Sequence, residues 1–406
     1  MKARKSSILS ASVMSGLMPQ EETLEVGKKK SSLYIGIPKE TSLQENRVAL
    51  VPQAVALLVN NGHKVVIERG AGKGANFADN DYSEAGAEIV NGIKEVFEAD
   101  IVMKVEPLAP GEIDLLKPKQ TVFSALQMAI HPKNYIKKLI AKKVHAIAFD
   151  NIQDSHGKFP VIQSMGEIAG NTSILIAAEL LSNVNDGKGF MLGGVAGVPA
   201  TEVVILGAGT VGEFAARSAI GLGATVKIFD NSLYKLRRLQ NDLSMRVFTS
   251  ILQPDVLHAE LKTADVVIGA IRAPDKQTPC IVTEEMIQAM KPGSVVVDIS
   301  IDQGGCFETS KITDHNKPTF IKHDVVHYCV PNITSRVART ASCALSNIFA
   351  DILLEIGDYG GVDGMLKANK GVRNGVYIYN GILTNKMLGE HLGISYKDID
   401  LLMAAW

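Results

Sequence analysis

The 406-residue chain has few cysteines, almost no net charge and no long apolar run. Its four cysteines, Cys280, Cys306, Cys329 and Cys343, lie far apart and offer neither paired metal-ligand spacing nor a disulfide framework. That usage favours a reducing compartment, the cytoplasm, and argues against a metal centre. A formal net charge of −1 gives no electrostatic case for nucleic acid or an anionic membrane surface. No continuous apolar stretch reaches the ~20 residues that cross a bilayer. There is no internal repeat, and no biased tract beyond residues 1–32. That segment carries Lys, Ser and Met with a triple lysine at Lys28, Lys29 and Lys30, but lacks the apolar core and cleavage site of a secretory signal. It reads as an N-terminal extension. The remainder, within a chain that is 46% apolar, has the composition of a compact α/β protein of about two domains.

Against those absences one stretch stands out, VVILGAGTVGEFAARSAIGLGATVKIFD, residues 203–230. An apolar strand at 203–206 runs into Gly207, Gly209 and Gly212, a helix follows, and a second strand at 225–229 ends on Asp230. Gly207 permits a tight turn, Gly209 lets a pyrophosphate approach the backbone, and Gly212 lets helix and strand pack closely. The helix start, with Thr210 and Val211, supplies unpaired N–H groups and partial positive charge for phosphates. A carboxylate at Asp230 accepts hydrogen bonds from a ribose and repels a 2′-phosphate, which points to NAD rather than NADP.

The rest of the chain alternates strands and helices, the pattern of parallel sheets covered on both faces. Strands are expected at 33–37, 64–68, 101–105, 122–125 and 144–149. Pro52 opens a helix over 53–61 that stops at Gly62. A long helix over 164–182 leads to the glycine-rich connection 189–200. After Asp230, helices at 233–243, 254–262 and 283–289 alternate with strands near Val247, at 266–270, 294–299 and 325–330, giving six strands in all. The tail from Arg336 reads as mostly helical, including 338–356, and too short for a further domain. The expected fold is therefore α/β with two doubly wound domains. A discontinuous substrate domain takes 33–165 and 336–406, and a Rossmann dinucleotide-binding domain takes 166–335.

Ligands of such sheets sit beyond the carboxyl ends of the strands, so polar residues there are the candidates. Asp302, after the strand in VVVDISIDQGGCFE, stands where the nicotinamide belongs. Asp298, inside that strand, suits a structural role. Arg47 follows the first strand and Lys104 ends another. An arginine can hold a substrate carboxylate bidentately, and a lysine can polarise a carbonyl, although either is commonly a surface charge. No histidine is placed as a general base. His131 suits a helix start, and His327 a strand core.

With these residues together, the chain resembles the alanine dehydrogenase family, related to the NAD-binding subunit of transhydrogenase. The matching stretches include IGIPKETSLQENRVALVP, GAGKGANFADNDYSEAGAEI, MLGGVAGV, the glycine motif, PGSVVVDISIDQGGCFE and HYCVPNI. The resemblance implies reversible deamination of L-alanine to pyruvate and ammonia with NAD, usually in a homohexamer. It implies substrate contacts from Arg47 and Lys104 and a catalytic Asp302. Asp230 and Lys235 would hold the adenosine ribose, and Ile299, Asp302, Val330 and Asn332 would line the nicotinamide. The chain departs from the family at the catalytic histidine, where Gln127 stands. A glutamine can hydrogen-bond a carbonyl but cannot shuttle a proton. The lysine motif reads MKVEP instead of two lysines flanking a valine, and Gly166 replaces a cofactor-contacting serine. Those departures keep open a saccharopine-type or transhydrogenase-like relative with a changed substrate, and a silent NAD-binding protein. The expected partners are a small amino or 2-oxo acid and further copies of the chain, hexamer or dimer, with no nucleic acid and no membrane.

Overall fold

A computed structural model describes residues 30–42, 44–126, 133–273 and 278–404. It contains two sheets with a common plan. In the first, β1 (Tyr34–Ile37), β2 (Lys64–Glu68), β3 (Glu88–Val90), β4 (Ile101–Met103), β5 (Thr121–Ser124) and β6 (His145–Ala148) are parallel, in the order β3-β2-β1-β4-β5-β6. In the second, β7 (Glu202–Leu206), β8 (Thr225–Phe229), β9 (Phe248–Ser250), β10 (Val266–Gly269), β11 (Val295–Asp298) and β13 (Val325–Tyr328) repeat it as β9-β8-β7-β10-β11-β13, with β12 (Thr319–Lys322) antiparallel at the edge. In each sheet the winding reverses beside the first strand, between β1 and β4 and between β7 and β10. The carboxyl ends there diverge into a crevice.

Strand sequence explains the burial. β4 and β7 are almost entirely buried and β-branched because helices cover both faces. Alternate residues enter opposite cores. Val203 and Ile205 join one apolar cluster, while Val204 and Leu206 join another. Ile101 and Met103 likewise separate from Val102.

The second sheet has a seventh strand beyond the six expected, because Lys322 turns back through His323 and Asp324, both at positive φ (54° and 57°), to pair β12 with β13. The tail, read as mostly helical, also contains a hairpin of β14 (Val376–Tyr379) and β15 (Ile382–Leu383). Its Asn380 and Gly381 have φ of 47° and 75°, the left-handed pair that a two-residue hairpin turn requires. β14 adds antiparallel to β6, extending the first sheet.

Helices that matter for the site are α1 (Pro52–Asn60), α2 (Pro160–Leu181), α3 (Thr210–Gly221), α4 (Leu233–Leu243) and α5 (Ala338–Asp358). α2 begins four residues before the expected start, with Pro160 in its first turn where a proline costs no hydrogen bond. α2 packs on α3 at Gly170, where a Cβ would lie 2.4 Å from the Val211 carbonyl oxygen. α5 buries Ala341, Leu345, Phe349 and Leu353 along one stripe. Its Ser342 and Ser346 accept the N–H groups of Val48 and Val51 at 2.9 and 3.0 Å, fixing the loop that carries Arg47. The segment Ile333–Asp358 is long and apolar enough to cross a membrane by length and composition. Its buried stripe packs instead against the first sheet's core.

Candidate active site

The glycine turn lies at the crevice between β7 and β10. Gly207 has φ 112°, and a Cβ on it would stand 2.4 Å from the carbonyl oxygen of Ala270. A Cβ on Gly212 would lie 1.9 Å from the Gly207 carbonyl oxygen, so helix and strand meet only without side chains there. At Gly209 a Cβ would meet nothing within 4 Å, and no side chain caps the start of α3. Thr210 and Val211 follow in its first turn. The uncapped N–H groups and the open space beside Gly209 fit a pyrophosphate. Asp230, at the tip of β8, accepts from the N–H of Ala208 at 2.8 Å and of Ser232 at 2.7 Å. Lys235, in α4, brings its Nζ to 3.8 Å from the same carboxylate. The acid is thus locked to the glycine turn, at the edge where a ribose would follow the pyrophosphate.

The facing crevice, between β1 and β4, gathers Glu40, Glu45 and Arg47 from the loop after β1, with Lys104 and Glu106 after β4. Arg47 is held by its Nε and Nη2, which donate to Glu45 Oε1 and Oε2 at 2.8 and 2.6 Å, while Nη1 donates to Thr334 Oγ1 at 3.0 Å. Glu106 Oε1 lies 3.6 Å from Nη2. Burial alone would lower the guanidinium, but Glu45 beside it holds it above its ordinary range. Burial likewise works to raise Glu45, and Arg47 pulls it below the usual carboxylate range.

Lys104, expected to touch substrate, is buried. Its side chain is 1% exposed, and Nζ lies 3.0 Å from Glu112 and 3.2 Å from Glu40. The two carboxylates outweigh burial and keep the ammonium firmly charged, so it is committed to an internal ion triad. Glu40 also accepts the N–H of Val105 at 2.6 Å, and burial pushes its carboxyl up to about 7.

Across the cleft, Asp302 sits in a short 3-10 turn, Ile299–Gln303, after β11. Its Oδ1 accepts the N–H of Asn332 at 3.1 Å. Asp302 opens onto the cleft, yet the surrounding protein raises its carboxyl above the usual range, while the Asn332 N–H and Arg47 oppose that rise. Asn332 has φ 57°, and its Nδ2 donates to Glu45 Oε2 at 2.5 Å. Val330 is buried and Ile299 packs against the second sheet's core, both on the β11–β13 side of the crevice. Asp298 is structural, accepting from Ser300, Cys306 and Ser310, with its carboxyl pushed up to about 6 by burial. His327 is fully buried, bonded to Thr309 and the Val325 carbonyl. Gln127 and His131 lie outside the described residues. Among the described residues no cluster of three His, Cys, Asp or Glu could hold a metal.

Glu45, Thr334 and the side chain of Asn332 were not singled out in the sequence. Glu45 had a signal, an acid two residues before Arg47 in a loop, but loop acids pair this way only when the backbone bends, which spacing does not reveal.

Two family models match the chain: the N-terminal domain of alanine dehydrogenase/PNT over residues 36–169 and its C-terminal domain over 173–386. Alanine dehydrogenase 2 of Staphylococcus aureus (strain USA300) is 41% identical over 369 residues, covering 91% of this chain and 99% of the relative. A solved L-alanine dehydrogenase superposes with a TM-score of 0.82 at 36% identity, over 88% of this chain and 98% of that one. A transhydrogenase from Sinorhizobium meliloti, at 23% identity and a TM-score of 0.74 over 87% of this chain and 99% of its own, shares the fold.

Proposed function

The chain belongs to the alanine dehydrogenase/PNT family, and we propose that it catalyses the NAD-dependent, reversible deamination of L-alanine to pyruvate and ammonia. The observation that carries this is the continuous contact between the two crevices: Arg47 to Thr334 and Glu45, Glu45 to Asn332, Asn332 to Asp302. A carboxylate anchor is thereby tied to the acid on the nicotinamide side.

Bound NAD supplies the hydride acceptor. Gly207, Gly209, Thr210, Val211 and Gly212 cradle its phosphates, Asp230 with Lys235 holds the adenosine ribose, and Ile299, Val330 and Asn332 line the nicotinamide. Arg47 offers its Nη1/Nη2 edge to the substrate carboxylate, since Glu45 already takes the Nε/Nη2 edge. Asp302 orients the water that replaces nitrogen, and a carboxyl raised above its usual range by the surrounding protein suits it to take a proton from that water. Gln127 orients the substrate oxygen by hydrogen bonding. Lys104 steadies the loop through Glu40. We assign 33–165 with 336–406 to the substrate domain and 166–335 to the NAD domain, a division supported by the return of β14 to β6. The chain assembles as a homo-oligomer, hexamer or dimer, and works in the cytoplasm. The exposed Phe190, Met191, Val195 and Val198 on one loop support self-association, and four free thiols suit a reducing compartment.

The test is NADH formation by the purified full chain with L-alanine, and NADH oxidation with pyruvate plus ammonium, beside a panel of other amino and 2-oxo acids. Turnover restricted to another amino acid would refute the alanine assignment. A changed substrate is the second reading, favoured by the burial of Lys104 between Glu40 and Glu112.

A further inference from the structure

We propose that Glu45 and Glu106 form an acid pair that holds one proton, carried by Glu106, so that a substrate carboxylate meets Arg47 with only one carboxylate against it. The consequence for the substrate rests on reading Arg47 as the carboxylate anchor; the pair itself does not. The two acids come from the loops after β1 and β4, which flank the first crevice. Both turn toward one nitrogen: Arg47 Nη2 lies 2.6 Å from Glu45 Oε2 and 3.6 Å from Glu106 Oε1. Their side chains are also hydrogen-bonded to each other. An ionised carboxyl only accepts hydrogen bonds, so a bond between two of them requires a proton on one.

The donors decide which acid carries it. Glu45 Oε1 accepts from the Arg47 backbone N–H and from Nε, each at 2.8 Å. Its Oε2 accepts from Arg47 Nη2 at 2.6 Å and from Asn332 Nδ2 at 2.5 Å. Two oxygens so supplied with donors make Glu45 the ionised member. Burial works to raise its carboxyl, and Arg47 holds it below the usual range. Glu106 stands farther from the guanidinium than the about 2.7–2.9 Å of a closed charge-assisted bond. Its O–H donates to Glu45 instead. With side chains 1% and 13% exposed, little water is at hand to screen a second negative charge.

The surroundings add negative charge and no spare cation. Glu40 acts on Arg47 from the same loop, and Asp302 lies across the cleft. Among the described residues the neighbouring cations are committed, Lys104 to Glu40 and Glu112, and Arg336 to Glu179. His315 is close enough to feel Glu45, but burial lowers it below its ordinary value. Arg47 therefore answers one ionised acid and not two. With Glu106 neutral, the charges of Arg47 and Glu45 balance. An ionised Glu106 would leave a surplus negative charge that repels the anion Arg47 is placed to hold.

Infrared difference spectra of the full chain at neutral pH read the pair directly. Parent minus E106Q should show the C=O stretch of one carboxylic acid. Parent minus E45Q should show the same band, because Glu106, released from its partner, ionises beside Arg47; a merely structural contact would not couple the two. Carboxylate bands in place of the acid band in parent minus E106Q would overturn the pair. L-Lactate, a carboxylate that carries no ammonium, reads the consequence when titrated into the NADH complex. E106Q should change its affinity by less than about threefold, and R47Q should weaken it at least about tenfold. Tightening by about tenfold or more in E106Q would mean that an ionised acid had been removed, and would overturn the proposal. If both variants lose the acid band and R47Q binds L-lactate like the parent, the anchor reading fails while the shared proton stands.

Discussion

Glu40 shows how much a single carboxyl can carry. Burial sets its folded value at about 7, against an ordinary 4.5. Between those values the folded chain keeps a proton that the unfolded chain releases, so stability is full below about pH 4.5 and falls as pH rises through 7. In denaturant unfolding, E40Q should remove that decline relative to the parent, by roughly 3 kcal/mol at most across the window. Parent and E40Q curves that run parallel from pH 5 to 8 would refute it. Arg47 and Asp302 were legible in the sequence because both follow strands, where ligands gather. The partners of Lys104 were not. Glu112 lies eight residues on and Glu40 lies across β1, so their meeting depends on strand order and not on spacing.

The glycine turn was the most readable element, since strand, turn, helix and acid each carry a local signature. Its two glycines at positions 209 and 212 make separable demands. G209A meets no protein atom, so it should fold with an unchanged melting temperature but bind NADH at least about tenfold more weakly, by blocking close approach of the pyrophosphate. G212A drives a Cβ into the Gly207 carbonyl and should lose about 1–3 kcal/mol of stability as well as NADH binding. Calorimetry with NADH titration separates the two, and equal behaviour of both variants would refute the distinction. Less was legible in the hairpins. YIYNGIL contains the Asn-Gly turn signal, but its strands have only four and two residues among helical segments. β12 is partly exposed at an edge and lacks a buried apolar run, so its identity comes from pairing with β13.

At the scale of the molecule, both sheets wind in one order, and hydrogen bonds from Arg47 to Thr334, Asn332 to Glu45 and Asn332 to Asp302 link the ends of the two. The order of the second sheet follows from the dinucleotide motif. That of the first does not, because crossovers and not strand sequences decide which strands are neighbours. NADH at a hundred times its dissociation constant should raise the unfolding free energy by about 2.7 kcal/mol; absence of a shift would contradict NAD binding. The chain passes between the sheets twice, through α2 and through Ile333–Val337 into α5. These passages touch, and Arg336 on one pairs with Glu179 on the other. Two struts laid side by side brace the joint between the sheets, and Asn332 and Thr334, at the start of the second strut, reach across to Glu45 and Arg47.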